Sequence, residues 1–154
     1  MTYDWTDDDV AAEREAQAFL DRQSRPKRGN PERSQQIAVV RYLRTVLPQG
    51  SIVASVKNEE KPYSDSPTAR MNFAMKRRVS GMLPGFPDLI VLAPPGRCLL
   101  IEMKAPKSGR LSEAQKDLHP RLRAAGIPVG VCTDIDSARA FMLANGIQLR
   151  ESVF

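Results

Sequence analysis

Asp88, Glu102 and Lys104 are the residues whose types and spacing could do chemistry. The first two bracket a pair of apolar runs, Asp88 to Ala93 and Cys98 to Met103, joined by Pro94, Pro95, Gly96 and Arg97, a pattern that predicts a β-hairpin. With the turn centred on Pro95, facing residues have numbers that sum to 190, and Asp88 stands opposite Glu102. Opposed side chains have Cβ atoms about 5 Å apart, and two carboxylates so placed repel by roughly 3 kcal/mol at an effective dielectric near 20. A divalent cation reverses the sign of that interaction. Mg²⁺ and Mn²⁺ take oxygen ligands and retain waters, so two carboxylates and a backbone carbonyl suffice without histidine or cysteine. The expectation hangs on the register, because a one-residue bulge would put the two acids on opposite faces.

Lys104 lies two residues beyond Glu102 and emerges on the same face of the strand. An ammonium there suits phosphodiester hydrolysis: it orients an attacking water or stabilises charge developing on the phosphorane, beside a metal that polarises the phosphoryl oxygen. Glu-x-Lys by itself is more often a solvated pair at a strand end. Here Glu102 interrupts an otherwise apolar Leu99, Leu100, Ile101 and Met103, and an acid opens the partner strand at the matching position.

The elements that would position these residues are readable on either side. Thr6 to Gln23 predicts a peripheral helix, and Ser24 to Asn30 a basic linker or arm carrying Arg25, Lys27 and Arg28. Asn30-Pro31 starts a second helix whose Ile37, Val40, Leu43 and Leu47 form an inward stripe, with Glu32 in its first turn. Ser51 to Val56 reads as a strand, Lys57 to Pro67 as a polar loop, and Thr68 to Val79 as a basic helix whose Met71, Phe73 and Met75, with Met82 beyond it, read as core. Ser112-Glu-Ala-Gln115 matches a capping box opening a helix to Ala125. Ile127 to Thr133 reads as a strand and Asp134 to Asn145 as a last helix. The fold class that follows is α/β, a mixed central sheet flanked by helices, with residues 1–30 as helix and linker and 31–154 as the main domain.

Composition sets the outer bounds. A chain of 154 residues has room for one domain with a core, and its 42% apolar and 27% charged residues indicate neither disorder nor a fibre. No apolar run approaches the ~20 residues of a membrane helix, and Met1 to Asp9 is acidic where a signal peptide is basic. Cys98 and Cys132 make neither a disulfide framework nor a zinc knuckle and read as packing residues, so a reducing cytoplasm fits best. The net charge of +5 gathers into basic clusters that suit a polyanion, though a soluble surface explains charge equally well.

Gly85-Phe-Pro-Asp88, then Glu102-Met-Lys104 fourteen residues on, then Gly109-Arg-Leu-Ser112-Glu-Ala-Gln115 together resemble the VRR-NUC family of PD-(D/E)xK nucleases. The resemblance runs from about Pro31 to Met142. It implies a restriction-endonuclease-like core in which Asp88 and Glu102 bind Mg²⁺ or Mn²⁺, the Met103 carbonyl adds a ligand, and Lys104 assists the water. Gln115 matches the family's motif glutamine, although its place in a capping box explains it without catalysis. Glu32 matches the acid of the first core helix, there completing the metal shell or holding a second ion; a helix dipole favours a glutamate at that position too. Asn58-Glu59 resembles the family's Asn-Glu after the first strand, with Glu60 where a glycine is common. His119, one turn after Gln115, is given no catalytic role.

The DNA contacts expected beside such a site are Arg25, Lys27 and Arg28 of the arm, Lys76, Arg77 and Arg78, and Lys107 and Arg110. The middle trio is otherwise a solvated helix face. Similarity to free-standing, largely phage-borne members implies a homodimer that resolves four-way DNA junctions in a bacterial or phage-infected cell. The alternatives are a flap or exonuclease-type repair enzyme and a DNA-binding module without activity; the complete Asp88, Glu102 and Lys104 set argues against the second.

Overall fold

The computed structural model describes residues 11, 14, 15, 31–56, 64–107 and 109–150. Helix α1 (Pro31–Val46) leads to β1 (Ile52–Ser55) and α2 (Pro67–Val79). The hairpin β2 (Leu89–Ala93) and β3 (Arg97–Met103) follows, then α3 (Glu113–Ala124), β4 (Val129–Cys132) and α4 (Ile135–Ala144). The expected arm Arg25 to Arg28 and the Asn58-Glu59-Glu60 segment lie outside the described residues, as does most of the expected helix over Thr6 to Gln23.

The strands form one mixed sheet in the order β1-β2-β3-β4, antiparallel except for β3 and β4, which are parallel and joined through α3. The hairpin pairs Leu89 with Ile101 and Ala93 with Arg97, so facing numbers sum to 190 as the sequence predicts, and Pro94, Pro95 and Gly96 make the turn. Alternation along these strands splits the sheet into two faces. Leu89, Val91, Leu99, Ile101 and Met103 join the main core with Val39, Leu43 and Leu47 from α1 and its end, and Ala138 and Met142 from α4. Leu100 and Glu102 point to the opposite face, where α3 contributes buried Leu118 and His119. Covered on both sides, β3 reads as a continuous apolar run in which Glu102 is the exception.

Three expectations are corrected. Of the expected α1 stripe, Leu43 and Leu47 join the core and Val40 packs half-buried against it, whereas Ile37 is 42% exposed and Val39 and Val46 are buried in addition. Ile37 lies a turn before Val40 at the outer edge of that face, while Val39, one residue earlier than Val40, points straight at the sheet side. In α2 the body-facing side is Ala69, Phe73 and Arg77, so Met71 and Met75 are more than 60% exposed rather than core, and they continue into Val79 as an outward stripe. Finally, β2 begins at Leu89, not at Asp88.

Candidate functional site

Asp88 leaves the ladder one residue before β2, yet its backbone still accepts from the Val56 amide at 2.8 Å, which holds it in line with the sheet. Its side chain turns to β3: Asp88 Oδ2 accepts from the Met103 amide at 2.8 Å. The register explains why. Alternate residues of β3 bond to β4, as the Leu100 and Lys104 amides do, which leaves Met103 facing the β2 side. Continued by two residues beyond Leu89 and Ile101, the register would put Pro87 opposite Met103, and a proline has no N–H to offer the Met103 carbonyl. The hairpin thus ends with an aspartate and a backbone carbonyl side by side.

Glu102 is only 1% exposed. Its Oε1 is 2.5 Å from the Lys104 ammonium and accepts from Gln115 Nε2, also at 2.5 Å. Lys104 is brought there by the two-residue period of the strand, and its side chain, 12% exposed, keeps more contact with solvent than Glu102 does. Burial pushes the Glu102 carboxyl up to about 7; the Lys104 hydrogen bond and charge pull it down, and the negative charges of Asp88 and Glu32 push it up again. Glu32, in the first turn of α1, is therefore part of the same electrostatic neighbourhood as the hairpin acids.

The capping box predicted at Ser112 is present and shapes the site. Ser112 Oγ accepts from the Gln115 amide, and Gln115 Oε1 accepts from the Ser112 amide at 2.9 Å, which leaves Nε2 for Glu102. Gly85 sets how near α3 can come. Its φ is +80°, and a Cβ there would lie 2.5 Å from the Ala114 carbonyl carbon and 2.7 Å from the Gln115 nitrogen. Only glycine lets the segment before Asp88 cross the first turn of α3.

His119, to which the sequence alone assigns no role, belongs to the same neighbourhood. It is 1% exposed, and its Nε2 lies 4.0 Å from Glu102 Oε2. Burial holds its pKa below the usual 6.5, with Arg123 and Lys104 acting in the same direction and the Gly85 backbone and Asp88 opposing. The signal in the sequence is its position one helical turn after Gln115, which puts both on one face of α3.

A hard cation suits this donor set: a buried carboxylate, two further acids whose charges bear on it, and the Met103 carbonyl at the end of the hairpin, where the register continues to a proline. Among the described residues no three of His, Cys, Asp and Glu are gathered closely enough to enclose an ion. An ion held here would therefore keep water in its shell, as Mg²⁺ does. Of the expected DNA contacts, Lys76 and Arg78 are exposed on α2, and Lys107 and Arg110 are exposed in the loop between β3 and α3. Arg77 instead lies over the Phe73 ring at 5.5 Å.

The hairpin acids, lysine and glutamine all fall within residues 31–134, the span matched by the model of the VRR-NUC domain. The chain belongs to the VRR-NUC domain family. A solved structure described as a VRR_NUC domain aligns with it at 20% identity and a TM-score of 0.47, covering 77% of this chain and 99% of that one. No curated protein matches. Membership in the VRR-NUC family carries a nuclease-type function and, with it, DNA as the partner. No helix among the described residues is long and apolar enough to cross a membrane.

Proposed function

We propose that this VRR-NUC protein is a metal-dependent DNA endonuclease that hydrolyses phosphodiester bonds at the end of the β2–β3 hairpin. The observation that carries the reading is Glu102: a carboxylate 1% exposed, bound by Lys104 and Gln115, against which the charges of Asp88 and Glu32 are directed. A structural ion pair has no need of two additional acids, which weaken it. Asp88, Glu102 and the Met103 carbonyl would hold Mg²⁺ or Mn²⁺, with Glu32 reaching the ion through its retained water, and the ion when bound would polarise the phosphoryl oxygen and acidify a water.

The chain's own residues do the rest. Lys104 presents a positive charge beside Glu102, where it orients the attacking water and stabilises the negative charge that grows on the phosphate oxygens as the P–O ester bond breaks. Gln115 fixes Glu102 Oε1, so the carboxylate is oriented before DNA arrives. Similarity to free-standing VRR-NUC members supports branched DNA as substrate and a homodimer whose two sites cut two strands of a four-way junction.

The test is cleavage of end-labelled four-way junction, flap and linear duplex DNA with Mg²⁺ or Mn²⁺ by the native protein, Asp88→Ala and Lys104→Ala, with light scattering for mass. Paired junction cuts that disappear in both variants support the proposal. Cutting confined to flaps or ends makes this a repair-type nuclease, and DNA binding without cutting by the folded protein makes it a binding module.

A further inference from the structure

Glu102 is held on one side only. Lys104 and Gln115 both engage Oε1, while Oε2 is buried and meets no hydrogen-bond partner. Facing it at 4.0 Å is His119 Nε2; the Gly85 backbone carbonyl also lies near the ring, and among the described residues neither ring nitrogen has a partner at full hydrogen-bond geometry. Both side chains are 1% exposed, so bulk solvent does not satisfy them. Leaving a buried carboxylate oxygen and an imidazole nitrogen unpaired is costly, the more so for a charged group. Two such atoms facing each other across a short gap satisfy one another instead. A direct hydrogen bond needs about 3 Å, so the pair closes by about an ångström or through one shared water.

We infer that His119 is a positioning residue for Glu102, its Nε2–H donating to Oε2 and so fixing the plane of the carboxylate that Gln115 and Lys104 fix only at Oε1. The geometry of α3 supports this. Gln115 and His119 stand one turn apart on the same face and approach Glu102 in parallel, one at each carboxylate oxygen, and Gly85 admits the helix to that distance. A carboxylate gripped at one oxygen can rotate about its last bond; gripped at both it cannot, and a group that must orient a cation or a water needs the second grip. As a role in cleavage, the inference rests on the proposed nuclease reading; as a bond between two side chains, it does not.

His119 is the single histidine of the chain, so its ring can be observed without assignment ambiguity. The first measurement is nitrogen-proton NMR of the untagged, ¹⁵N-histidine-labelled full chain in the presence of a chelator. The expected result is the Nε2–H tautomer with a slowly exchanging ring proton whose shift moves in Glu102→Gln and stays in place in Lys107→Ala. An Nδ1–H tautomer, or a ring signal indifferent to Glu102→Gln, overturns the inference whether or not the protein cuts DNA.

The second measurement is cleavage by His119→Gln, His119→Asn and His119→Leu. Glutamine reaches the place of Nε2 and asparagine that of Nδ1. The positioning role predicts a kcat about 10- to 100-fold lower for Asn and Leu with KM little changed, and recovery to within about threefold of native for Gln. Equal loss in all three, in parallel with thermal stability, overturns it in favour of simple packing. A protein that never cuts DNA but shows the coupled ring signal refutes the nuclease reading and leaves the His119–Glu102 bond standing.

Discussion

Gln115 donates from Nε2 to Glu102 Oε1 at 2.5 Å while its own Oε1 accepts from the Ser112 amide at 2.9 Å. One side-chain amide thus closes the capping box of α3 and grips the buried acid of the β-hairpin. From sequence, capping and a site role read as alternatives; the two ends of the amide make them simultaneous. Removing the amide in Gln115→Ala is expected to cost about 1 kcal/mol for the cap and about 1.5–3 kcal/mol for the bond to a charged group.

Gln115→Glu separates the two contributions. It keeps an acceptor for Ser112 but replaces the donor to Glu102 with a second carboxylate. The variant should melt below native, with a deficit that widens as pH rises and both acids ionise. Equal melting temperatures for native and Gln115→Glu above neutral pH would show that the amide does not reach Glu102.

Glu102 gives the stability of the metal-free protein an unusual pH slope. Its carboxyl is raised from the ordinary 4.5 to about 7, chiefly by burial. Between those values the folded protein holds a proton that the unfolded chain has released, so this group's contribution is full below about 4.5 and is lost as pH climbs through about 7. His119, held below 6.5, contributes the opposite slope over the same range, so the Glu102 share is read as a difference: between about pH 5 and about pH 7.5 in a chelator, the urea midpoint of the native protein should fall relative to that of Glu102→Gln. Added Mg²⁺ should restore stability at the higher pH, since a cation favours the ionised carboxylate. A pH dependence that Glu102→Gln leaves intact would contradict the buried acid.

Gly85 should tolerate no side chain. Its left-handed backbone alone costs an L-residue about 1–2 kcal/mol, and the added Cβ would sit 2.5 Å from the Ala114 carbonyl carbon. Gly85→Ala is therefore expected to lose more than about 2 kcal/mol in urea denaturation and to lower cleavage further by displacing α3. Gly81→Ala, with a comparable φ and nothing within 4 Å of its Cβ, isolates the backbone cost and should lose less.

The hairpin is legible in the sequence because its determinants are local. Pro94, Pro95 and Gly96 mark the turn, the paired apolar runs set the register, and a lone acid in a doubly covered strand marks itself by contrast. The capping box at Ser112 is equally local. What cannot be read is which face of each helix meets the sheet. In α1, Ile37 and Val39 both belong to stripes of the right period, and in α2 the apolar Met71 and Met75 look outward while Arg77 lies inward over Phe73. Periodicity establishes that a helix has an apolar side, and the tertiary contact decides its phase. His119 escapes a sequence reading for the same reason, since its meaning depends on α3 lying over Glu102 and on Gly85 admitting it.

The basic residues divide by how their charge is used, and salt dependence can separate the groups. Lys76, Arg77 and Arg78 occupy the last turn of α2, where the helix dipole already favours cations, so their presence alone does not signal DNA. Arg77 is further committed to Phe73, which leaves Lys76 and Arg78 as the exposed pair. Removing a side chain that neutralises one phosphate should lower the slope of log affinity against log salt by about 0.9. Replacing Arg25, Lys27 and Arg28 together by alanine is expected to reduce the slope by about 2 to 3, and replacing Lys76 and Arg78 by about 1 to 2. Fluorescence anisotropy of a labelled junction across a salt series, with a chelator to prevent cutting, reads both. If Lys76 and Arg78 serve only the helix, their removal will change stability by a few tenths of a kcal/mol and leave the slope at its native value.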